Sequence, residues 1–191
     1  MATARNDHAR ENPIKSVLDF WFVESGASKW FKGGPDFDAE ITHRFSEIHA
    51  KAKAEEFNHW RENPEGALAL ILVLDQFSRN MFRADARAFA CDDYAREIAR
   101  KAISDGFDKL VAKEATPFVY MPFMHSEDLA DQNFCVELFE GFAPQGGNLR
   151  FAILHRDIIA QFGRFPHRND ALGRTSTPEE IAYLDDGGFK G

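Results

Sequence analysis

Chemistry in this sequence is to be sought where polar side chains fall on helix faces that periodicity gives to a core. Asp75 continues the face set by Leu68, Ile71 and Leu72. His155 falls inside the apolar stripe of Phe151, Leu154, Ile158, Ile159 and Phe162. His125 ends a third apolar stretch, after Phe118, Met121 and Pro122, and runs directly into Ser126, Glu127 and Asp128. A carboxylate buried without a partner costs several kcal/mol or becomes protonated. Asp75 therefore calls for an Arg, a His or backbone donors. The stretch from Arg150 to Arg174 supplies candidates: Arg150, Arg156, Arg164, Arg168 and Arg174 stand against only Asp157 and Asp170, in a chain whose net charge is −8. All of these cations are Arg, whose planar fork suits partly desolvated carboxylate or phosphate.

Three functions follow from such a set. As a binding module, Arg164 and Arg168 clamp a small anion or a peptide carboxylate, with Asp75, Arg79 and His167 beside them. His125 and His155 then donate hydrogen bonds, and Asp75 orients an Arg from behind. As an acid–base enzyme, His125 or His155 is the base, Glu127 tunes it, and Arg164 or Arg168 stabilises developing negative charge. As a scaffold, the same residues only lock helix ends to loops. No cofactor or metal is expected. Glu56-Phe57-Asn58-His59 has the E-x-x-H spacing of di-iron bundles, but such bundles need two copies. His125 with Glu127, Asp128 or Asp131 fits no established metal spacing. Cys91 and Cys135 form no C-x-x-C pair. Dinucleotide, P-loop and nucleophile-elbow motifs are missing too.

Composition narrows the setting. The 191 residues are 44% hydrophobic and 28% charged, the make-up of a globular chain. With 23 Lys+Arg against 31 Asp+Glu, a general nucleic-acid partner is not expected. The polar N-terminus lacks a secretory h-region. The longest apolar run, Ala67 to Leu74, is far short of the ~20 residues that span a bilayer. Two cysteines in a chain able to build its own core suit a reducing compartment. The expectation is a cytoplasmic protein with no membrane contact.

Helices must position these groups. Asn12-Pro13 is a cap followed by proline at the first helical position, opening a helix through Phe22 that stops near Ser25-Gly26. Phe37, Ile41, Phe45, Ile48 and Ala52 recur at helical spacing and carry a second helix to about Trp60. Asn63-Pro64 opens the most apolar helix, Ala67 to Phe77, which is hydrophobic on every side and so central. Further helices run from Asp92 to Ala102, with Gly106 beyond as a left-handed stop, and from Thr116 until Pro122 kinks or ends it. Ser126 caps a helix from Glu127 to Phe139. Asn148 to Phe162 stops at Gly163, and Thr177-Pro178-Glu179-Glu180 is a capping box for a last helix. No stretch alternates with period two, so no strands are expected. Short connections make neighbours antiparallel. Nineteen Phe residues predict an aromatic core, or else an exposed aromatic face that makes a homodimer. Residues 1–12 read as a flexible N-terminal segment and 13–191 as a single all-α domain.

Three long stretches carry a family resemblance: Leu70-Ile71-Leu72-Val73-Leu74-Asp75-Gln76-Phe77-Ser78-Arg79-Asn80-Met81-Phe82-Arg83, Tyr120-Met121-Pro122-Phe123-Met124-His125-Ser126-Glu127-Asp128, and Phe162-Gly163-Arg164-Phe165-Pro166-His167-Arg168-Asn169. With Leu18-Asp19-Phe20-Trp21-Phe22 and Gly173-Arg174 at either end, the chain resembles the bacterial domain of unknown function 924 family over essentially its full length. The resemblance implies antiparallel helix pairs stacked in a short tetratricopeptide-like superhelix. It implies no reaction, and fold analogy alone assigns none.

Overall fold

The computed structural model describes residues 12–30 and 33–191, and the described residues are helical with no strand. The expected flexible segment lies outside them except for Asn12, whose side chain accepts from Ile14 N and caps α1 (Pro13–Asp19). This helix runs on as a π-helical turn, Phe20–Ser25, and Gly26 ends it with a φ of 65°. After the short α2 (Ala27–Trp30), α3 spans Pro35–Lys53. That helix stops well before Trp60. Its apolar face ends at Ala52, Glu55 turns left-handed (φ 60°), and a separate 3₁₀ turn, Asn58–Glu62, carries Trp60 into the core.

The centre is one continuous helical rod: α4 (Pro64–Ile71), a π-helical turn (Leu72–Phe77) and α5 (Ser78–Met81). Every residue from Gly66 to Ser78 is buried, as all-round hydrophobicity requires. Against it pack α1, α3, α6 (Asp92–Ser104) and α7 (Thr116–Met124). Phe20, Trp21, Phe37, Phe45, Phe77 and Phe118 fill the space between them as stacked and edge-on rings. Pro122 is accommodated in the last turn of α7, two residues before the helix ends.

Next come α8 (Leu129–Phe142) and α9 (Gly147–Phe162), each packed on the helix before it. The cap of α8 is Asp128, which accepts from Ala130 N, rather than Ser126. Ser126 Oγ instead accepts from Asp128 N and donates to Asp131. Glu127 therefore lies outside the helix and is free to reach elsewhere. On α9 the buried face is Ala152, His155, Ile158 and Ile159, with Phe151 and Leu154 exposed. The stripe is turned from the one that periodicity suggested, but His155 stays in it. Gly163 ends α9 in the left-handed region, a 3₁₀ turn follows (Pro166–Arg168), and α10 (Pro178–Asp185) starts with the full Thr177/Glu180 capping box. Among the described residues no helix is long and apolar enough to cross a membrane.

A buried charge chain as the candidate functional site

Asp75 is 0% exposed, within the π-helical turn of the central rod. Turns of this kind often mark functional positions, because the extra residue re-aims a side chain. Its Oδ1 lies 2.8 Å from His125 Nδ1 and 2.9 Å from Arg79 Nη1, while Oδ2 accepts from Gln76 Nε2 at 2.6 Å. The partners thus come from its own rod and from the end of α7, not from the Arg150–Arg174 stretch as the charge count suggested. One helical turn separates Asp75 from Arg79, the spacing at which side chains on a helix meet. Burial alone pushes the Asp75 carboxyl up, but Arg79, His125 and Gln76 together hold it well below the usual carboxylate range.

Arg79 carries the chain onward. It donates to both Asp92 oxygens at 3.0 Å each, as well as to the Asp75 carbonyl at 2.9 Å. Beyond Asp92 lies Arg168, on the Pro166–Arg168 turn. Its guanidinium sits over the Phe165 ring at 4.3 Å and the Phe89 ring at 4.7 Å, with Asp92 Oδ2 at 3.7 Å. That last distance is too long for a hydrogen bond. Only 7% of this side chain is exposed, and its buried Nε has no partner among the described residues. Burial and the Arg79 charge pull its proton affinity down to about 10. Arg168 is thus a buried cation held by rings and by charge, with its Nε uncommitted among the described residues.

The other histidines gather at the same place. His155 Nδ1 donates to the Phe151 carbonyl at 2.7 Å, and its ring meets Phe165 and Phe189. His167 lies between the same two rings, with its buried Nδ1 unpartnered among the described residues. Burial lowers both to about 4, and the charges of Arg168 and His125 add to this, so both rings are neutral at pH 7. His125 also falls below its usual range, through burial first and then Arg79, against the pull of Asp75.

Glu127 and Arg164 take different places. Glu127 accepts from Phe165 N at 2.8 Å and from Arg174 in a two-pronged pair at 2.7 and 3.0 Å. Arg174 also donates to the Phe165 carbonyl and to Asn169. Together they pin the loop that presents Arg168. Arg164 closes its fork on Glu180 at 2.6 and 2.8 Å and on the Thr175 carbonyl. It is not a second arm beside Arg168, because its Nε and Nη2 are committed to Glu180 and Thr175. The structure therefore brings together Asp75, Arg79, His125, His155, His167 and Arg168, and sets Glu127 and Arg164 to work as fasteners around them. Asp92, Phe89, Phe165 and Phe189 belong to the cluster as well. Only the position of Asp92 in the first turn of α6 marked it in sequence, and any helix-capping acid looks the same.

An all-α chain with a charged network threaded between its central rod and its last loop is the class that fold and site define. The family model described as "Bacterial protein of unknown function (DUF924)" matches residues 17–188, and the chain belongs to that family. A solved structure, described as "Structure of Protein of Unknown Function ATU0120 from Agrobacterium tumefaciens", is 43% identical and has a TM-score of 0.86, covering 91% of this chain and 97% of that one. No curated protein matches.

Proposed function

We propose that this protein binds a small anion, a carboxylate or phosphate group, on Arg168. The observation that carries the reading is a guanidinium with 7% of its side chain exposed, whose buried Nε has no hydrogen-bond partner among the described residues. Buried donors of that kind normally find a partner. Asp92 offsets the charge from 3.7 Å, but both its oxygens already serve Arg79. His125, His155 and His167 border the same place and supply further ring nitrogens. Tetratricopeptide-like stacking and a cytoplasmic location belong to this reading. The first is supported by α7, α8 and α9 packing in succession through short links, the second by the two buried free thiols, Cys91 and Cys135.

The test is calorimetric titration, backed by thermal shift, with inorganic phosphate, propionate and a short acidic peptide. Binding should be lost in Arg168→Gln and kept in Arg164→Gln. If none of these anions binds the parent protein, the reading falls. A second reading, acid–base catalysis, draws on the Asp75–His125 pair, which resembles the carboxylate–imidazole half of a catalytic triad. It requires turnover that Asp75→Asn abolishes while phosphate still binds.

A further inference from the structure

The side of α9 next to α10 carries two exposed features that the rest of the fold does not use. The first is a hollow of about 700 Å³, walled by Leu154 and Gln161 from α9, Tyr183 from α10, and Phe189. Its walls are held in place. Phe189 N donates to the Tyr183 hydroxyl at 3.0 Å, and the Phe189 ring lies edge-on to His155 at 4.6 Å. Glu179 and Asp186 complete the lining, about one turn to either side of Tyr183, and no cation lines it. Neither carboxylate has an ion-pair partner among the described residues.

The second feature is a knob. Phe151 and Leu154 stay exposed and, three residues apart, share one helix face. The Arg150 guanidinium lies 5.5 Å from the centre of the Phe151 ring and has no carboxylate partner among the described residues. Asp157 on the same helix is taken by Arg156.

An apolar hollow rimmed by carboxylates fits an apolar group that brings a positive charge. The knob is that combination, an aromatic ring with a guanidinium beside it, the side-chain types enriched at the centres of interfaces. Leu154 belongs to both features, so knob and hollow lie side by side on one molecule. A two-fold axis passing between them sets each copy's knob on the other's hollow, as self-complementary dimer contacts require. Each copy carries a net charge of −8, so two copies repel at a distance and attraction has to come from a local match.

We infer that two copies of this chain associate through this face. Phe151 of each copy seats against Leu154, Tyr183 and Phe189 of the other, and Arg150 pairs with Glu179 or Asp186 across the contact.

Sedimentation velocity of the full chain, from about 1 to 300 µM, tests this, and the dimer fraction should rise across that range. Phe151→Ser and Arg150→Glu should each weaken the dimer by about tenfold or more. Val23→Ser, at an exposed apolar residue of the Phe20–Ser25 turn, should leave it within about twofold. Charge reversal provides the closest check. Arg150→Glu combined with Glu179→Arg, or with Asp186→Arg, should return the dimer to within about threefold of the parent. All the substituted side chains are exposed, so the fold is not at stake in these variants. Four results overturn the inference: a parent that stays monomeric, a dimer that survives Phe151→Ser or Arg150→Glu, a dimer that Val23→Ser weakens equally, or a loss in Arg150→Glu that neither reversal restores.

Discussion

His125 Nδ1 meets Asp75 Oδ1 across 2.8 Å, joining the end of α7 to the middle of the central rod across 50 positions of sequence. Asp75 is the hub of this contact, because it also receives Arg79 and Gln76. Replacing it by Asn keeps the volume but removes the charge that Arg79 faces and that the His125 Nδ1–H donates to. Breaking a buried pair from one side leaves its partner uncompensated, typically at several kcal/mol. Asp75→Asn should therefore lower unfolding stability by about 3 kcal/mol in urea titrations at pH 7. A loss under about 1 kcal/mol, the range of an ordinary surface pair, would show that the network does not hold the rod and α7 together.

The two inner histidines set a pH dependence whose sign is fixed. His155 and His167 ionise near 4 in the folded chain, because burial disfavours their charged forms. Unfolded, each returns to about 6.5. Between those values the unfolded chain binds protons that the folded chain refuses, so stability falls as pH drops. It is full above about pH 6.5 and is lost on the way to pH 4. Urea midpoints taken at intervals from about pH 7 to 4.5 should register a decline of roughly 4–5 kcal/mol, about half from each ring, above the range where most carboxylates titrate. His155→Phe should flatten that slope by about half, and an unchanged slope would mean that His155 stays accessible to protons.

Much of this was legible in the residues themselves. Asn12-Pro13, Asn63-Pro64 and Thr177-Pro178 open helices where local capping chemistry says they must. Asp75, His125 and His155 stood out because periodicity gave them core positions, and all are held inside the fold. What periodicity lacked was direction in space. It could not separate Arg168 from Arg164, since both follow α9 within a few residues and only long-range contacts decide which fork is filled. Nor was the i+4 spacing of Arg79 from Asp75 weighed, although it alone puts a guanidinium within reach of the carboxylate. The end of α3 was missed because the chain turns at left-handed Glu55, a residue no local pattern marks as a stop, before Trp60 is buried from a separate turn.

Arg164 and Arg168 should separate cleanly by experiment. Glu180, 2% exposed, accepts from Arg164, from Asn169 Nδ2 at 3.0 Å and from Thr177 N at 2.8 Å. Arg164 also keeps a quarter of its surface in water. Arg164→Gln should cost less than Glu180→Ala, which strands Arg164 and Asn169 together and should cost about 3 kcal/mol. Phosphate or propionate affinity in Arg164→Gln should stay within about threefold of the parent. A collapse of affinity in that variant would return Arg164 to the site and weaken the assignment to Arg168.

A last prediction concerns how closely the rod is seated. Gly66 lies in the first turn of α4, where a Cβ would come within 2.2 Å of the Trp60 carbonyl oxygen and 2.9 Å of its carbon. Trp60 cannot retreat easily, since it is 3% exposed and stacked on Phe57 at 4.3 Å. Helix propensity alone favours Ala over Gly by about 1 kcal/mol. Here overpacking against main chain should reverse the sign, so that Gly66→Ala lowers stability by about 2–4 kcal/mol. Gly141, exposed near the end of α8 with nothing within 4 Å of an added Cβ, is the internal control. Gly141→Ala should be neutral or stabilising by up to about 1 kcal/mol. Paired urea denaturation of the two variants decides the matter: equal effects at both sites would mean that the Asn58–Glu62 turn can move away, and that α4 is not clamped at its start.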